Sequence, residues 1–167
     1  MANKKTVSEL ADDKYNRVME GVAYWGSYYR SNPHEFAKDY LNVTLKLFQK
    51  ILLCIMMRFT HFTWIAARGM SKTWTTALFC IIRCILFPKT KIVVVSGTRS
   101  QANEVLLKIE DDFMKLHEWG SSNLRNEISE CNIGTNKAEI IFKNGSWIKV
   151  ATASDNARGM RANLLMK

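Results

Sequence analysis

Apolar residues in the first part of the chain recur at spacings of three and four. Val7, Leu10, Ala11, Val18, Val22 and Trp25 follow this rule, so residues 1–31 are predicted as a helix, with T-V-S-E at 6–9 in capping-box order. The run N-P-H-E at 32–35 restarts a helix, with Asn32 as cap, Pro33 at the first helical position and Glu35 in the first turn. Residues 44–57 are apolar on more than one face, which predicts a buried helix.

The pattern then changes period. F-T-H-F-T-W-I-A at 59–66 is aromatic and β-branched and too short for a globular helix, so it is read as a strand. Residues 72–87 are hydrophobic nearly all round and stop at Pro88, as expected of a helix inside a layered domain. K-I-V-V-V at 91–95 has the continuous apolar run of a strand covered on both faces, and S-G-T at 96–98 turns the chain into a helix over 99–116. Residues 119–123 read as loop. Asn144-Gly145, between the β-rich runs within 138–152, signals a hairpin. A polar loop at 154–163 leads into L-L-M-K, the start of a further strand. The alternation of strand and helix predicts an α/β domain with a mainly parallel sheet: a helical lead-in over 1–57, then a core over 58–167, without repeat or linker.

Charge and cysteine content change this picture little. The 167 residues carry 24 Lys+Arg against 15 Asp+Glu, a formal +9, which suits a polyanionic partner and is also reached by proteins that have none. Cys54, Cys80, Cys84 and Cys131 form no C-x-x-C pair, which gives zinc or dithiol chemistry no support and leaves small buried thiols as the expectation. The polar first seventeen residues lack the apolar centre of a secretory signal, and the apolar stretch at 77–87 is too short to span a bilayer and contains Arg83. A soluble protein of a reducing compartment is expected, with no membrane partner.

Candidate chemistry gathers at W-I-A-A-R-G-M-S-K-T-W, residues 64–74. Aligning Lys72-Thr73 on the phosphate-loop pattern G-x-x-x-x-G-K-[ST] puts Ala66 and Ser71 at the two glycine positions, with Gly69 between them. Glycine serves there because backbone N–H groups must turn inward, and a side chain at a left-handed position costs roughly 1–2 kcal/mol. In the nucleotide reading, the amides of residues 68–73 cradle the phosphates, Lys72 reaches the β and γ phosphates, and the Thr73 hydroxyl holds Mg²⁺. A plain strand-to-helix turn with a solvated lysine is the competing reading.

Segments over most of the chain, among them W-G-S-Y-Y-R-S-N-P-H-E-F-A-K-D-Y-L, L-K-L-F-Q-K-I-L-L, A-A-R-G-M-S-K-T-W, S-G-T-R-S-Q-A-N-E-V-L-L-K-I, F-K-N-G-S-W-I-K-V and S-D-N-A-R-G-M-R-A-N-L-L, together resemble the ATPase part of tailed-phage terminase large subunits. These are the motors that thread DNA into capsids. The resemblance implies a P-loop NTPase of RecA-like three-layer fold, with ATP and Mg²⁺ as cofactors and double-stranded DNA as partner. The capsid portal, the small terminase subunit and further copies of the chain would be partners too, in the cytoplasm of a bacterial host.

Residue by residue, the resemblance implies a nucleotide site of Ala66, Ala67, Arg68, Gly69, Met70, Ser71, Lys72 and Thr73. Lys72 and Arg68 would be catalytic and Thr73 the metal ligand, while Ser71 departs from the family's glycine. Gln49 is similar in position to a glutamine that reads adenine, and an amide can pair with the donor and acceptor of one adenine edge. Arg99, Arg158 and Arg161 would contact DNA phosphates, or are solvated loop charges.

The family's adjacent Asp-Glu, which serves the metal and the attacking water, belongs after R-A-N-L-L, where this sequence has Met166-Lys167. These residues alone are therefore expected to form an incomplete P-loop module, with weak ATP binding, negligible turnover and poor solubility from exposed sheet edges. A non-hydrolytic nucleotide- or DNA-binding fragment acting on a full-length motor is the alternative. A helicase fragment is a more distant one.

Overall fold

The computed structural model of the protein describes residues 7–115, 122–134, 137–152 and 160–166. Those residues form an α/β fold around a five-stranded mixed sheet in the order β2-β3-β4-β1-β5: β1 (Lys91–Ser96), β2 (Ile128–Ile133), β3 (Ala138–Phe142), β4 (Trp147–Thr152) and β5 (Leu164–Met166). β1 lies parallel to β4 and β5, while β2, β3 and β4 form an antiparallel meander. The expectation of a mainly parallel sheet is thus corrected to a mixed one. The Asn144-Gly145 hairpin is antiparallel by construction, and β2 adds another antiparallel edge beyond it.

The helices are α1 (Val7–Ser31), α2 (Pro33–Asp39), α3 (Leu47–Arg58), α4 (Lys72–Leu86), α5 (Arg99–Lys108) and α6 (Ser122–Glu127), with a π-helical turn at Ile109–Met114. α4 and α5 share the main core with the sheet face that carries Ile92, Val94, Ile140, Ile148 and Val150; Phe36, Leu41 and Leu53 join it from the lead-in. The opposite face buries Val93, Val95 and Ala151 beside Trp147, and among the described residues that cluster contains no helical member. A second helical layer, expected from a three-layer fold, is therefore not found in the described residues. β1 itself matches its apolar run, with Ile92 to Val95 buried on both faces.

Further differences from the sequence reading lie along the chain. Residues 59–66, expected as a strand, are irregular chain that bends at residues 60 and 61 and has no ladder pairing, and Ile65 is 92% exposed. α3 begins at Leu47 rather than 44 and buries Gln49, Leu52 and Leu53, whereas Leu47, Phe48 and Ile51 stay exposed; its apolar faces exceed the surface it has to pack against. The helix expected over 99–116 is α-helical only to Lys108, then widens into the π turn, which buries Ile109 and Phe113. Residues 122 and 123, read as loop, open α6. Thr6 of the 6–9 capping box and most of the 154–163 loop lie outside the described residues. Asn32 does precede α2, but its side chain donates back to Tyr28 O (3.1 Å) instead of capping forward.

α4 is fixed at its far end by the hairpin. Asn144 Nδ2 donates to Cys84 O (2.7 Å) and Ser146 Oγ to the same carbonyl (3.0 Å), so carbonyls orphaned at the helix terminus are satisfied. Gly145 at φ +81° supplies the left-handed position that this turn requires. Arg83, unexpected within an apolar helix, lays its guanidinium on the Phe87 ring at 4.0 Å. Cys80 and Cys84 are fully buried, and burial pushes the Cys80 thiol up to about 12, so both behave as apolar packing groups. No helix of the described residues is long and apolar enough to cross a membrane.

Candidate functional site

The segment from Ala66 to Thr73 reverses direction in two steps. A turn closes between Met70 N–H and Ala67 O (3.4 Å), with Gly69 at φ +82° in its third position. Open space surrounds a Cβ built on Gly69, so backbone conformation rather than crowding calls for glycine there. Ser71 then takes φ 53°, ψ 29°, the left-handed region, and α4 starts at the next residue. The sequence position normally held by the second glycine therefore does carry left-handed backbone, and serine bears the strain.

The start of α4 is uncapped: Ser71 makes no side-chain cap hydrogen bond. The first bond of the helical ladder runs from Thr75 N–H to Ser71 O (2.9 Å), which leaves the N–H groups of Lys72, Thr73 and Trp74 ahead of it. These donors and the positive end of a 15-residue helix suit an anion. Lys72 folds back across the loop, its Nζ donating to Ala66 O and to Ala67 O (3.2 Å). The ammonium is thereby held at the loop mouth by carbonyls that a phosphate could replace.

Lys72 and Thr76, one turn apart on α4, line a recess of about 180 Å³ with Met56, Phe62, Trp64, Leu165 and Met166. The end of β5 thus meets the loop. The volume is below the roughly 300 Å³ at which pockets begin to enclose a whole ligand, so it admits part of a nucleotide at most. Thr73 is half-buried, and Arg68, Met70 and Ala67 are exposed. Among the described residues no group of three or more His, Cys, Asp or Glu side chains gathers to hold a metal. The loop amides and the Lys72 ammonium are donors of the kind an anion needs.

Other sequence candidates fall elsewhere. Gln49 sits in the first turn of α3, only 7% exposed, and its Oε1 accepts from Lys46 N–H (2.9 Å). It does not line the Lys72 recess. That bond uses one of the two lone pairs of the Gln49 amide oxygen and ties the side chain to the start of α3. Arg161 is exposed; Arg158 lies outside the described residues. Arg99 opens α5 and lines a different cavity, with Lys137, Glu139 and Lys149. That grouping escaped sequence reasoning because Glu139 and Lys149 become neighbours only through the β3–β4 register.

The acidic residues of the π turn are engaged locally. Glu110 and Asp111 pair with Lys115 at 2.9 and 3.2 Å, and Asp112 pairs with Lys108 at 3.5 Å. Within α4 the Thr75 hydroxyl is fully buried and has no hydrogen-bond partner among the described residues. Compared with protein-family models and with curated proteins, the chain matches none.

Proposed function

We propose that the chain is the ATP-binding portion of a terminase large subunit, a P-loop motor that packages viral DNA into capsids in the cytoplasm of a bacterial host. The observation that carries this reading is the 66–73 loop: left-handed backbone at Gly69 and Ser71, an uncapped helix start, and Lys72 drawn over the mouth. A plain strand-to-helix turn needs none of these together. The sequence resemblance supplies the rest of the identification, including double-stranded DNA, portal, small subunit and sister copies as partners.

In this reading the amides of residues 68–73 bind the phosphates and Lys72 exchanges its two carbonyl partners for phosphate oxygens. Arg68, exposed beside the loop, is free to swing toward the γ-phosphate, where a fixed cation stabilises developing negative charge. Mg²⁺, when bound with ATP, supplies charge neutralisation between the phosphates, and Thr73 is its protein ligand.

Among the described residues, those lining the Lys72 recess include no carboxylate, which favours a second reading: a non-hydrolytic nucleotide- or DNA-binding fragment that interacts with a full-length motor. Nucleotide titration combined with duplex binding over a salt series separates the two, since both expect negligible phosphate release. The proposal expects saturable Mg·ATP binding that weakens on the order of tenfold or more in Lys72→Ala, since one charge-assisted contact to a buried-side phosphate is worth about 1.5–3 kcal/mol. Weak nucleotide affinity beside steeply salt-dependent duplex binding indicates the fragment reading. Absence of nucleotide binding, or affinity indifferent to Lys72, refutes the first reading.

A further inference from the structure

On the side of β1 away from the Lys72 loop, a cavity of about 330 Å³ opens beside β4. Its lining includes Arg99, Lys137, Glu139, Lys149, Thr152 and Met160. Glu139 is 3% exposed, an unusual place for a carboxylate. Lys149 stands directly across the antiparallel ladder from it, with Nζ 3.1 Å from Oε2, and Lys137 Nζ contacts Oε1.

Neutralising one buried carboxylate requires one cation; here two lysines converge on it and Arg99 faces the same space. Lys137 and Lys149 by themselves bring two positive charges to that one carboxylate. An ammonium has three donors, and the carboxylate occupies one on each lysine, so further donors remain for a guest. The carboxylate also fixes where the two ammonium groups stand. Ordering them in advance removes the conformational cost that two mobile surface lysines would add on binding. Lys149 is held from a second side as well, with Nζ 5.0 Å from the Trp147 ring centre.

We infer that this cavity is a phosphate-binding seat, built by Lys137, Lys149 and Arg99 and organised by Glu139. Its ligand is a phosphate group, presented by a nucleic-acid backbone or by a free phosphorylated molecule. The chemistry matches: ammonium donors held by a carboxylate, with Arg99 in the same lining, suit a compact multivalent anion better than a carboxylate or a neutral ligand. The seat stands apart from the Lys72 loop and does not depend on that loop taking a nucleotide.

The test measures anisotropy of a labelled short duplex over a series of salt concentrations, and in a separate arm titrates inorganic phosphate against chloride at matched ionic strength. Lys149→Gln is compared with wild type and with Lys108→Gln, an exposed lysine on α5 outside the cavity. If a backbone phosphate occupies the seat, Lys149→Gln lowers the slope of log K against log salt by about one and Lys108→Gln leaves a smaller change. If the ligand is a free phosphate, the duplex arm is unchanged and saturable phosphate binding is lost in Lys149→Gln. Should Lys149→Gln unfold, Lys137→Gln replaces it, since that side chain is 66% exposed and tolerates change. Wild-type-like behaviour of a folded variant in both arms overturns the proposal.

Discussion

Replacing Ser71 by glycine probes the loop where its conformation is most strained. Ser71 has φ 53° and lies immediately before α4, and its side chain makes no cap hydrogen bond, so truncation removes no local interaction. A non-glycine residue in the left-handed region is disfavoured by roughly 1–2 kcal/mol. Glycine escapes that cost but adds about 0.5–1 kcal/mol of backbone freedom to the unfolded chain. The difference predicts a net stabilisation of about 0.5–1 kcal/mol, equivalent for a domain of this size to a Tm rise of about 1–4 °C. Denaturant melts followed by circular dichroism measure it. Gly69→Ala, at φ +82°, moves in the other direction, with a loss of about 1–2 kcal/mol. If Ser71→Gly instead destabilises by about 1 kcal/mol, as glycine does within a regular helix, Ser71 is not left-handed and the loop geometry argued above is wrong.

Two predictions concern buried polar groups. Thr75→Val removes a fully buried hydroxyl that has no partner among the described residues and keeps the branched shape, so it is expected to stabilise the fold by about 1 kcal/mol in the same melts; a loss of similar size would reveal a hydrogen bond to that hydroxyl. The Glu139 carboxyl is held below its ordinary value of 4.5, first by the hydrogen bond from Lys137 and then by Lys149, against the opposing effect of burial. A depressed folded-state value means that the stabilisation is present above the unfolded value and is lost as pH falls from 4.5 through the lower folded one. Melts of wild type and Glu139→Gln should converge in acid and diverge toward neutral pH, and parallel curves would show that the ion pairs contribute nothing.

Much of this was legible in sequence where local chemistry decides. β1 carries an apolar run that only a two-sided burial explains, Asn144-Gly145 marks a hairpin on its own, and Pro88 closes the segment of α4. Gly69 and Lys72-Thr73 likewise located the loop before α4, while the pattern left open whether Ser71 takes the strained left-handed backbone that the fold shows. What could not be read depends on partners distant in sequence. Residues 59–66 have strand composition, yet a strand exists only through its neighbours, and here the segment packs Phe62 and Trp64 beside the end of β5 without pairing to it. β2, with exposed and half-buried residues after Ile128, gave no apolar run to announce it. Gln49 has the composition of a surface residue, and only the fold reveals that it is buried and bonded to Lys46. The Glu139–Lys149 pair is set by register across the hairpin, which a linear reading of the two strands leaves open.

The amides of residues 67–74 can be watched directly by two-dimensional ¹H–¹⁵N NMR while a non-hydrolysable Mg·ATP analogue is titrated into wild type and Lys72→Ala. The account predicts that the N–H resonances of Gly69, Met70, Ser71, Lys72 and Thr73 shift first and saturably in wild type, and that the response largely disappears in the variant. Shifts confined to other parts of the chain, or an identical response without the Lys72 ammonium, would contradict it.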